Sequence, residues 1–361
     1  MENIKALIID DNILERRVLS NMLKSFNGVE VRNVCDSEDI YTVIENEKFD
    51  VVFFDVQESR SSSKIDIEML RAKYPSLLVV AIAKRTEKGA IAILNALNRG
   101  AVDFITNPEK NNMLLLAKNH FQKRLGLIIE NIREIKSGKQ RQGKLPLIRK
   151  NNRQKADIVV IGTGSEGIRT LYKIFSKISG NISVPVVMVP HLPKIFTGVL
   201  AESLNRVSKL KITEAADRVK LEPRTVYVVP GGFHAEVIRE DSGYSLRLHK
   251  GPKENGVRPS IDVVFRSISR IFREKALGVL LNGYGHDGFM GAQLLKENGG
   301  EILILQPDSL FAGALLNDIY NAGLSDQVCF EEFLSWEIIK RVPLEKRNAK
   351  KGFVTVPVIQ T

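Results

Sequence analysis

The stretch that decides the fold is Ile158-Val159-Val160-Ile161-Gly162-Thr163-Gly164-Ser165-Glu166-Gly167, in which a β-branched strand runs into a glycine-rich turn. A segment with helical character follows it. In α/β proteins this layout places a nucleophile or a phosphate group at the end of the strand. What the turn holds therefore decides what the protein does.

Length and composition limit the class of protein. The 361 residues and the balanced hydrophobic fraction of 43% are enough for two or three domains, each with its own core. No stretch is typical of a membrane span, and Met1 to Lys5 leads into a strand without a signal sequence, so we expect a cytoplasmic protein with no membrane insertion. Cys35 and Cys329 predict buried thiols rather than a disulfide framework or a metal site.

The formal charge of +11 is concentrated in two segments. Residues 124–156 predict a linker, because from Arg133 to Lys155 many Lys and Arg residues stand against the single acid Glu134. This linker is either a solvated tether or a segment that docks on an acidic patch. The second basic stretch lies in a predicted C-terminal tail, residues 336–361. Neither carries a DNA-reading module, so no nucleic acid partner is expected.

Three carboxylates follow apolar strands in the first 123 residues. Asp10 and Asp11 end the strand at residues 6–9, and Asp55 ends the strand at residues 51–54, with helical segments at residues 14–26 and 37–47. The carboxyl ends of parallel strands meet at one edge of a sheet, where clustered carboxylates suit Mg²⁺ and the cation neutralises an incoming phosphoryl group. The pattern predicts a Mg²⁺ site at Asp10, Asp11 and Asp55, with Asp55 as phosphoryl acceptor.

Residues 1–123 resemble a response-regulator receiver domain, with a flavodoxin-like parallel sheet whose last strand is Gly100-Ala101-Val102-Asp103-Phe104-Ile105. The resemblance implies that Asp55 is phosphorylated by a chemotaxis histidine kinase and that Asp10 and Asp11 bind the metal. Three positions depart from the family. Asn107 stands where the family has a lysine, and Ala83 stands where it has a switch Ser or Thr. The turn after Asp55 reads Gln57-Glu58-Ser59-Arg60-Ser61-Ser62-Ser63. The first change removes a cation, for which the ammonium of Lys84 is a candidate substitute, and the second removes the hydroxyl that reports phosphorylation.

The second half, residues 157–335, predicts another α/β domain. Its strands at residues 184–189, 225–229 and 278–281 are each followed by a turn rich in Gly or Pro. These turns bring His191 and Asp287 to the sheet edge that carries Ser165. Ser, His and Asp form a hydrolytic inventory that is recognised by geometry rather than by chain order.

Four motifs make this half resemble the chemotaxis protein-glutamate methylesterases, the CheB family. They are Pro190-His191-Leu192-Pro193, Gly231-Gly232 with His234, Arg258-Pro259-Ser260-Ile261-Asp262, and Gly283-Tyr284-Gly285-His286-Asp287-Gly288. The resemblance implies a doubly wound α/β fold, His191 as general base and Asp287 as its orienting acid. It also implies hydrolysis of glutamate methyl esters, or deamidation of glutamines, on chemoreceptors, with no cofactor in this domain.

The family nucleophile is missing, because its serine aligns with Gly164. Ser165 stands one place along, and Glu166 replaces a glycine. Either Ser165 substitutes, with Gly164 allowing the necessary backbone rotation, or hydrolysis is lost. Glu166 opposes substitution, because its carboxylate would compete with an oxyanion for the same backbone donors.

Two further interpretations stay open. One is a non-catalytic adaptor that binds receptors or a kinase. The other is a dinucleotide-binding oxidoreductase, since Gly162-Thr163-Gly164-Ser165-Glu166-Gly167 also fits G-x-G-x-x-G, although no acid follows the second strand, which is followed by Pro190-His191.

Overall fold

The computed structural model describes residues 3–34, 40–57, 66–107, 115–137, 154–282, 285–306 and 313–345. Two α/β domains are present, as the sequence predicts. No helix in these ranges is both long and apolar enough to cross a membrane.

The first domain is a five-stranded parallel sheet with the order β2-β1-β3-β4-β5. Its elements in chain order are β1 Ile4–Ile9, α1 Ile13–Lys24, β2 Val29–Val34, α2 Ile40–Asn46, β3 Val51–Asp55, α3 Ile67–Lys73, β4 Leu78–Lys84, α4 Glu87–Asn98, β5 Asp103–Asn107 and α5 Leu115–Lys136. Residues 6–9 of β1 and 51–54 of β3 are buried apolar runs, because helices cover both faces of a parallel sheet. The receiver-type architecture is confirmed.

Helix α5 continues past Lys123, where the sequence analysis ended the first domain. Leu125, Ile128, Ile129 and Ile132 are spaced as one helical face and are buried against the first sheet. Residues 124–136 are therefore helix rather than linker. Most of the remaining predicted linker, residues 138–153, lies outside the described residues.

The second domain has a seven-stranded parallel sheet with the order β15-β14-β13-β6-β7-β10-β8 and a three-stranded antiparallel sheet with the order β11-β12-β9. Its elements in chain order are β6 Ile158–Thr163, α6 Ile168–Lys177, β7 Val186–Pro190, α7 Lys194–Val207, β8 Lys211–Glu214, β9 Val219–Lys220, β10 Thr225–Val228, β11 His234–Glu240, β12 Gly243–His249, α8 Ile261–Phe272, a 3₁₀ turn Arg273–Lys275, β13 Ala276–Leu280, α9 Phe289–Glu297, β14 Glu301–Leu305, α10 Gly313–Asn321, β15 Gln327–Cys329 and α11 Glu331–Arg341.

The strand order reverses at β6, which lies between β13 and β7. In doubly wound sheets such a reversal opens a crevice at the carboxyl ends of the strands. The turns after β6, β7 and β13 meet there, so the topology itself collects residues that are far apart in sequence.

The C-terminal boundary also differs from the sequence expectation. Helix α11 runs from Glu331 to Arg341, and Leu344 then forms a β-bridge with Ile182. Residues 336–345 are thus part of the second domain, because Ile338 and Val342 are buried in its core. The rest of the predicted tail, residues 346–361, lies outside the described residues, as does Cys35. Cys329 is a buried free thiol, as predicted.

The two domains pack directly on one another. Helix α4 of the first domain contacts α6 and α7 of the second. The rings of Phe104, on β5, and Phe196, on α7, have centroids 4.8 Å apart. The contact lies beside the crevice at β6, so the first domain touches the region that holds the candidate site.

Candidate functional site

The turn after β6 is held in place by Asn282, which follows β13. The Asn282 Oδ1 atom accepts hydrogen bonds from the Gly164 backbone N–H at 2.6 Å and from the Thr163 hydroxyl at 3.1 Å. Its amide nitrogen donates to the Glu166 carboxylate at 3.4 Å. Helix α6 begins only at Ile168, so Gly164, Ser165 and Glu166 all precede it. Asn282 is not among the site residues predicted from the sequence, although it begins the Gly-rich turn after β13.

His191 lies next to this turn. Strands β6 and β7 are paired so that Thr163 is opposite Pro190, and the His191 backbone N–H donates to the Thr163 carbonyl at 2.9 Å. Gly164 follows directly after β6, and His191 follows directly after β7. Backbone pairing alone therefore makes them neighbours at the sheet edge.

Asp287 binds His191 as predicted. The Nε2 atom of His191 lies 2.7 Å from Oδ2 of Asp287, and both side chains are buried, with 4% and 0% of their surface exposed. An ionised carboxylate only accepts hydrogen bonds, so the proton of this contact belongs to Nε2. In the neutral form of His191 the Nδ1 atom then carries a lone pair, and this atom is buried with no hydrogen-bond partner among the described residues.

Asp287 is fixed by a dense set of donors. Besides His191, they are the Ser260 hydroxyl at 2.6 Å, the Ile261 N–H at 2.7 Å, the Asn255 amide at 3.2 Å and the Asp262 N–H at 3.4 Å. Burial raises the pKa of Asp287, but the hydrogen bond and charge of His191, with Ser260 and Ile261, outweigh burial and leave the pKa below its ordinary value. Asp287 is thus a stable anion that orients His191.

Ser165 is not joined to His191 by a hydrogen bond. Its hydroxyl donates to Oδ1 of Asp103, in β5 of the first domain, at 2.8 Å, and the same carboxylate is ion-paired with Arg124 at 2.6 Å. Ser165 is buried in this contact. The structure therefore brings His191 and Asp287 together and holds the Ser165 hydroxyl on another carboxylate. Sequence reasoning did not find Asp103 or Arg124, because only tertiary packing places them at the turn.

Gly164 leaves room for a side chain. A Cβ atom built on it would lie 3.4 Å from Oδ1 and 3.6 Å from Nδ2 of Asn282, which is ordinary van der Waals contact. Gly164 is not among the glycines with positive φ. A larger residue is therefore compatible with this backbone, and the missing hydroxyl is not explained by backbone strain.

The carboxylates of the first domain form the second candidate site. Burial, together with nearby Asp and Glu charges, raises the pKa of Asp55 to about 7 and that of Asp10 to about 6, although backbone N–H groups lower both. Glu15 contributes to both shifts, and its carboxylate accepts from the Asn107 amide at 2.5 Å. Sequence reasoning missed Glu15, which brings a further negative charge to the site.

These residues fit a magnesium ion. Carboxylates that raise one another's pKa favour a cation between them, and Mg²⁺ takes one or two carboxylates and keeps several waters. Within the described ranges no three acidic, His or Cys side chains come close enough to hold a metal ion by themselves. Asp10, Asp55 and water would hold the ion, and it would neutralise charge on an incoming phosphoryl group. Asp11, the third predicted ligand, adds a negative charge that raises the pKa of Asp10.

Gln57 connects Asp55 to the domain contact. Its backbone N–H donates to Oδ1 of Asp55 at 2.9 Å, and its Oε1 accepts from the Lys84 backbone N–H at 2.9 Å. Thr86 caps α4, the helix that contacts α6 and α7. The backbone of Lys84 is thus tied to this loop, while its side-chain charge lowers the pKa of Asp55.

Comparisons with known proteins find relatives of both domains. A CheB methylesterase family model matches residues 159–333, and a response regulator receiver domain model matches residues 6–118. The chain is 32% identical over 351 residues to a protein-glutamate methylesterase/protein-glutamine glutaminase of Trichodesmium erythraeum, which covers 95% of this chain and 100% of that protein. A protein of the same name from Clostridium acetobutylicum is 31% identical, covering 95% and 99%. The crystal structure of the Thermotoga maritima CheB methylesterase catalytic domain is 31% identical and has a TM-score of 0.50, covering 52% of this chain and 99% of that one.

Proposed function

Because the chain belongs to the family of protein-glutamate methylesterases/protein-glutamine glutaminases, which act in chemotaxis adaptation, we propose that it binds the methylated glutamate region of chemoreceptors without forming an ester on a serine of its own. One observation carries the proposal. Gly164 has no hydroxyl, and the Ser165 hydroxyl is hydrogen-bonded to Asp103 rather than to His191.

The remainder of the site supports substrate binding. The His191–Asp287 pair is buried and oriented, and the Asn282 bonds hold the turn in a defined shape. The crevice opens at the strand reversal, where α/β domains bind their ligands. A chain that keeps this arrangement retains the surface on which a receptor glutamate would lie.

The dinucleotide alternative has less support. Glu166 places a carboxylate just before the N-terminus of α6, where a pyrophosphate would have to bind and would be repelled. Strand β7 ends in Pro190 and is followed by His191, so it offers no acid to a ribose.

Covalent trapping and binding together test this function. Full-length protein would be incubated with methylated receptor membranes, quenched in acid and digested for mass spectrometry, and cosedimentation would give the affinity. We expect binding in the parent and in His191→Ala, and no glutamyl adduct on any serine of the parent. An adduct on Ser165, or the absence of binding, would contradict the proposal. Gly164→Ser serves as the positive control for adduct detection.

We further propose that the protein works in the cytoplasm and that a chemotaxis histidine kinase phosphorylates Asp55 with Mg²⁺ bound. In the metal-free protein the pKa of Asp55 is about 7, so a proton competes with Mg²⁺ for this carboxylate near neutral pH. Only an ionised Asp55 can bind the ion and attack phosphorus, so phosphorylation is expected to rise with pH. The same raised pKa means that the stability contributed by protonated Asp55 is present at low pH and is lost as pH rises through about 7.

Glu15→Gln is expected to lower the pH midpoint of Asp55 phosphorylation, because it removes a negative charge that raises the pKa. At pH 6.5, labelling by acetyl phosphate and Mg²⁺ should increase about 1.5- to 2-fold, as a shift of a few tenths of a pH unit from about 7 predicts. Phosphate-affinity gels across pH 5.5 to 8.5 would measure it. Glu30→Gln, on the exposed side of β2, is the matched control, and equal midpoints in the two variants would refute the role of Glu15.

A further inference from the structure

In its neutral form His191, the candidate general base, has a nitrogen lone pair that no described residue uses. The Nδ1 atom of His191 is buried and unpartnered, while Nε2 is occupied by Asp287. A buried nitrogen acceptor without a partner costs free energy unless a water or a ligand group binds it. His191 Nδ1 is thus a hydrogen-bond acceptor that no described residue uses.

The turn beside His191 has room for a water or ligand group. Gly164 has no side chain, and the atoms nearest to a Cβ there belong to the Asn282 side chain, at 3.4 Å or more. A bound water needs at least two polar partners. His191 Nδ1 offers one acceptor, and Nδ2 of Asn282 would lie 3.6 Å from the same Cβ.

We propose that His191 and Asp287 activate a water molecule that takes the place of the missing serine hydroxyl, so that the protein hydrolyses glutamate methyl esters directly, without an acyl-enzyme. This inference rests on the proposed receptor binding. General base catalysis by a positioned histidine contributes on the order of 10² to 10⁴ in rate.

In the proposed reaction the water oxygen attacks the ester carbonyl carbon while one of its protons moves to His191 Nδ1. The electron pair of the C=O bond moves to the carbonyl oxygen. The tetrahedral intermediate then collapses, the bond from carbon to the methoxy oxygen breaks, and the leaving methoxy group takes the proton from His191 as methanol. The product carboxylic acid ionises in water. Asp287 stays ionised throughout and stabilises the transient imidazolium.

The test measures methanol release from methyl-labelled receptor membranes by the full chain. It would be run in the parent and in Asp103→Asn, which weakens the contact of the first domain with the turn. Activity that the packed first domain blocks in the parent would then be detected in the variant. We expect release above the protein-free blank, a loss of about 10²-fold or more in His191→Gly, and recovery when imidazole is added. Circular dichroism would confirm that the variants are folded.

Ser165→Ala separates the two routes. Release should persist, because its hydroxyl is bonded to Asp103 and not to the base, and Ser176→Ala on the exposed face of α6 is the matched control. Loss of release in Ser165→Ala alone would overturn the water route in favour of a relocated serine. No release from either parent or Asp103→Asn, with receptor binding intact, would overturn the water route and leave the binding function standing.

Discussion

Methanol release from methylated chemoreceptors is expected to rise on the order of 10³-fold or more when Gly164 is replaced by serine. Loss of the serine of a hydrolytic triad elsewhere lowers turnover by about 10⁶, and part of that factor should return when a hydroxyl is placed beside an oriented base. The backbone accommodates the change, since the added Cβ makes ordinary contacts with Asn282 and φ is not positive. His191 and Asp287 are already hydrogen-bonded at 2.7 Å.

The matched variant is Gly164→Ala, which adds the same Cβ without a hydroxyl. Methanol release by the serine variant should exceed release by the alanine variant by the same factor, on the order of 10³. A glutamyl adduct should appear on residue 164. Equal activity of the two variants would mean that the hydroxyl does not reach His191. In that case the position of the turn, set by Asn282 and Glu166, would be the element that has diverged.

Asp287→Ala is expected to destabilise the second domain by about 3 to 5 kcal/mol, because it leaves buried donors without an acceptor. Those donors include the Ser260 hydroxyl and the Ile261 N–H at the start of α8. For a domain of this size the loss corresponds to a fall in Tm of roughly 10 °C. Calorimetry of the full chain would measure it, and Asp318→Ala, at a half-exposed ion pair with His286, is the matched control.

The sign of the pH dependence follows from the depressed pKa of Asp287. Its stabilising contribution is present above the ordinary carboxyl pKa and is lost as pH falls through its lower folded pKa. The difference in Tm between parent and Asp287→Ala should therefore shrink only below about pH 4. A Tm difference below 2 °C at pH 7 would show that water or backbone motion satisfies the donors of α8.

The two α/β domains, and the expectation that His191 and Asp287 meet at one sheet edge, follow from sequence patterns alone. Apolar strands of four to six residues, each followed by a turn of Gly, Pro or Asp, are a local signal, and parallel sheets bring their carboxyl ends to one edge whatever the details of packing. The absence of a hydroxyl at Gly164 is likewise a property of one position. These features needed no knowledge of contacts.

Domain boundaries were less visible in the sequence. The basic residues after Arg133 predict a linker, yet α5 continues to Lys136. Charged residues indicate a solvent-exposed helix face and do not indicate where a helix ends. Basic residues likewise make residues 336–345 resemble a tail in the sequence, although Ile338 and Val342 are buried.

Only the tertiary structure decided what Ser165 does. Its partner Asp103 is 62 residues away, in the other domain, and no periodicity or motif relates the two. The same holds for the approach of Glu15 to Asp55 and of Asn282 to Gly164. Side-chain contacts across domains and between loops depend on how packed surfaces fit together, which one-dimensional patterns do not encode.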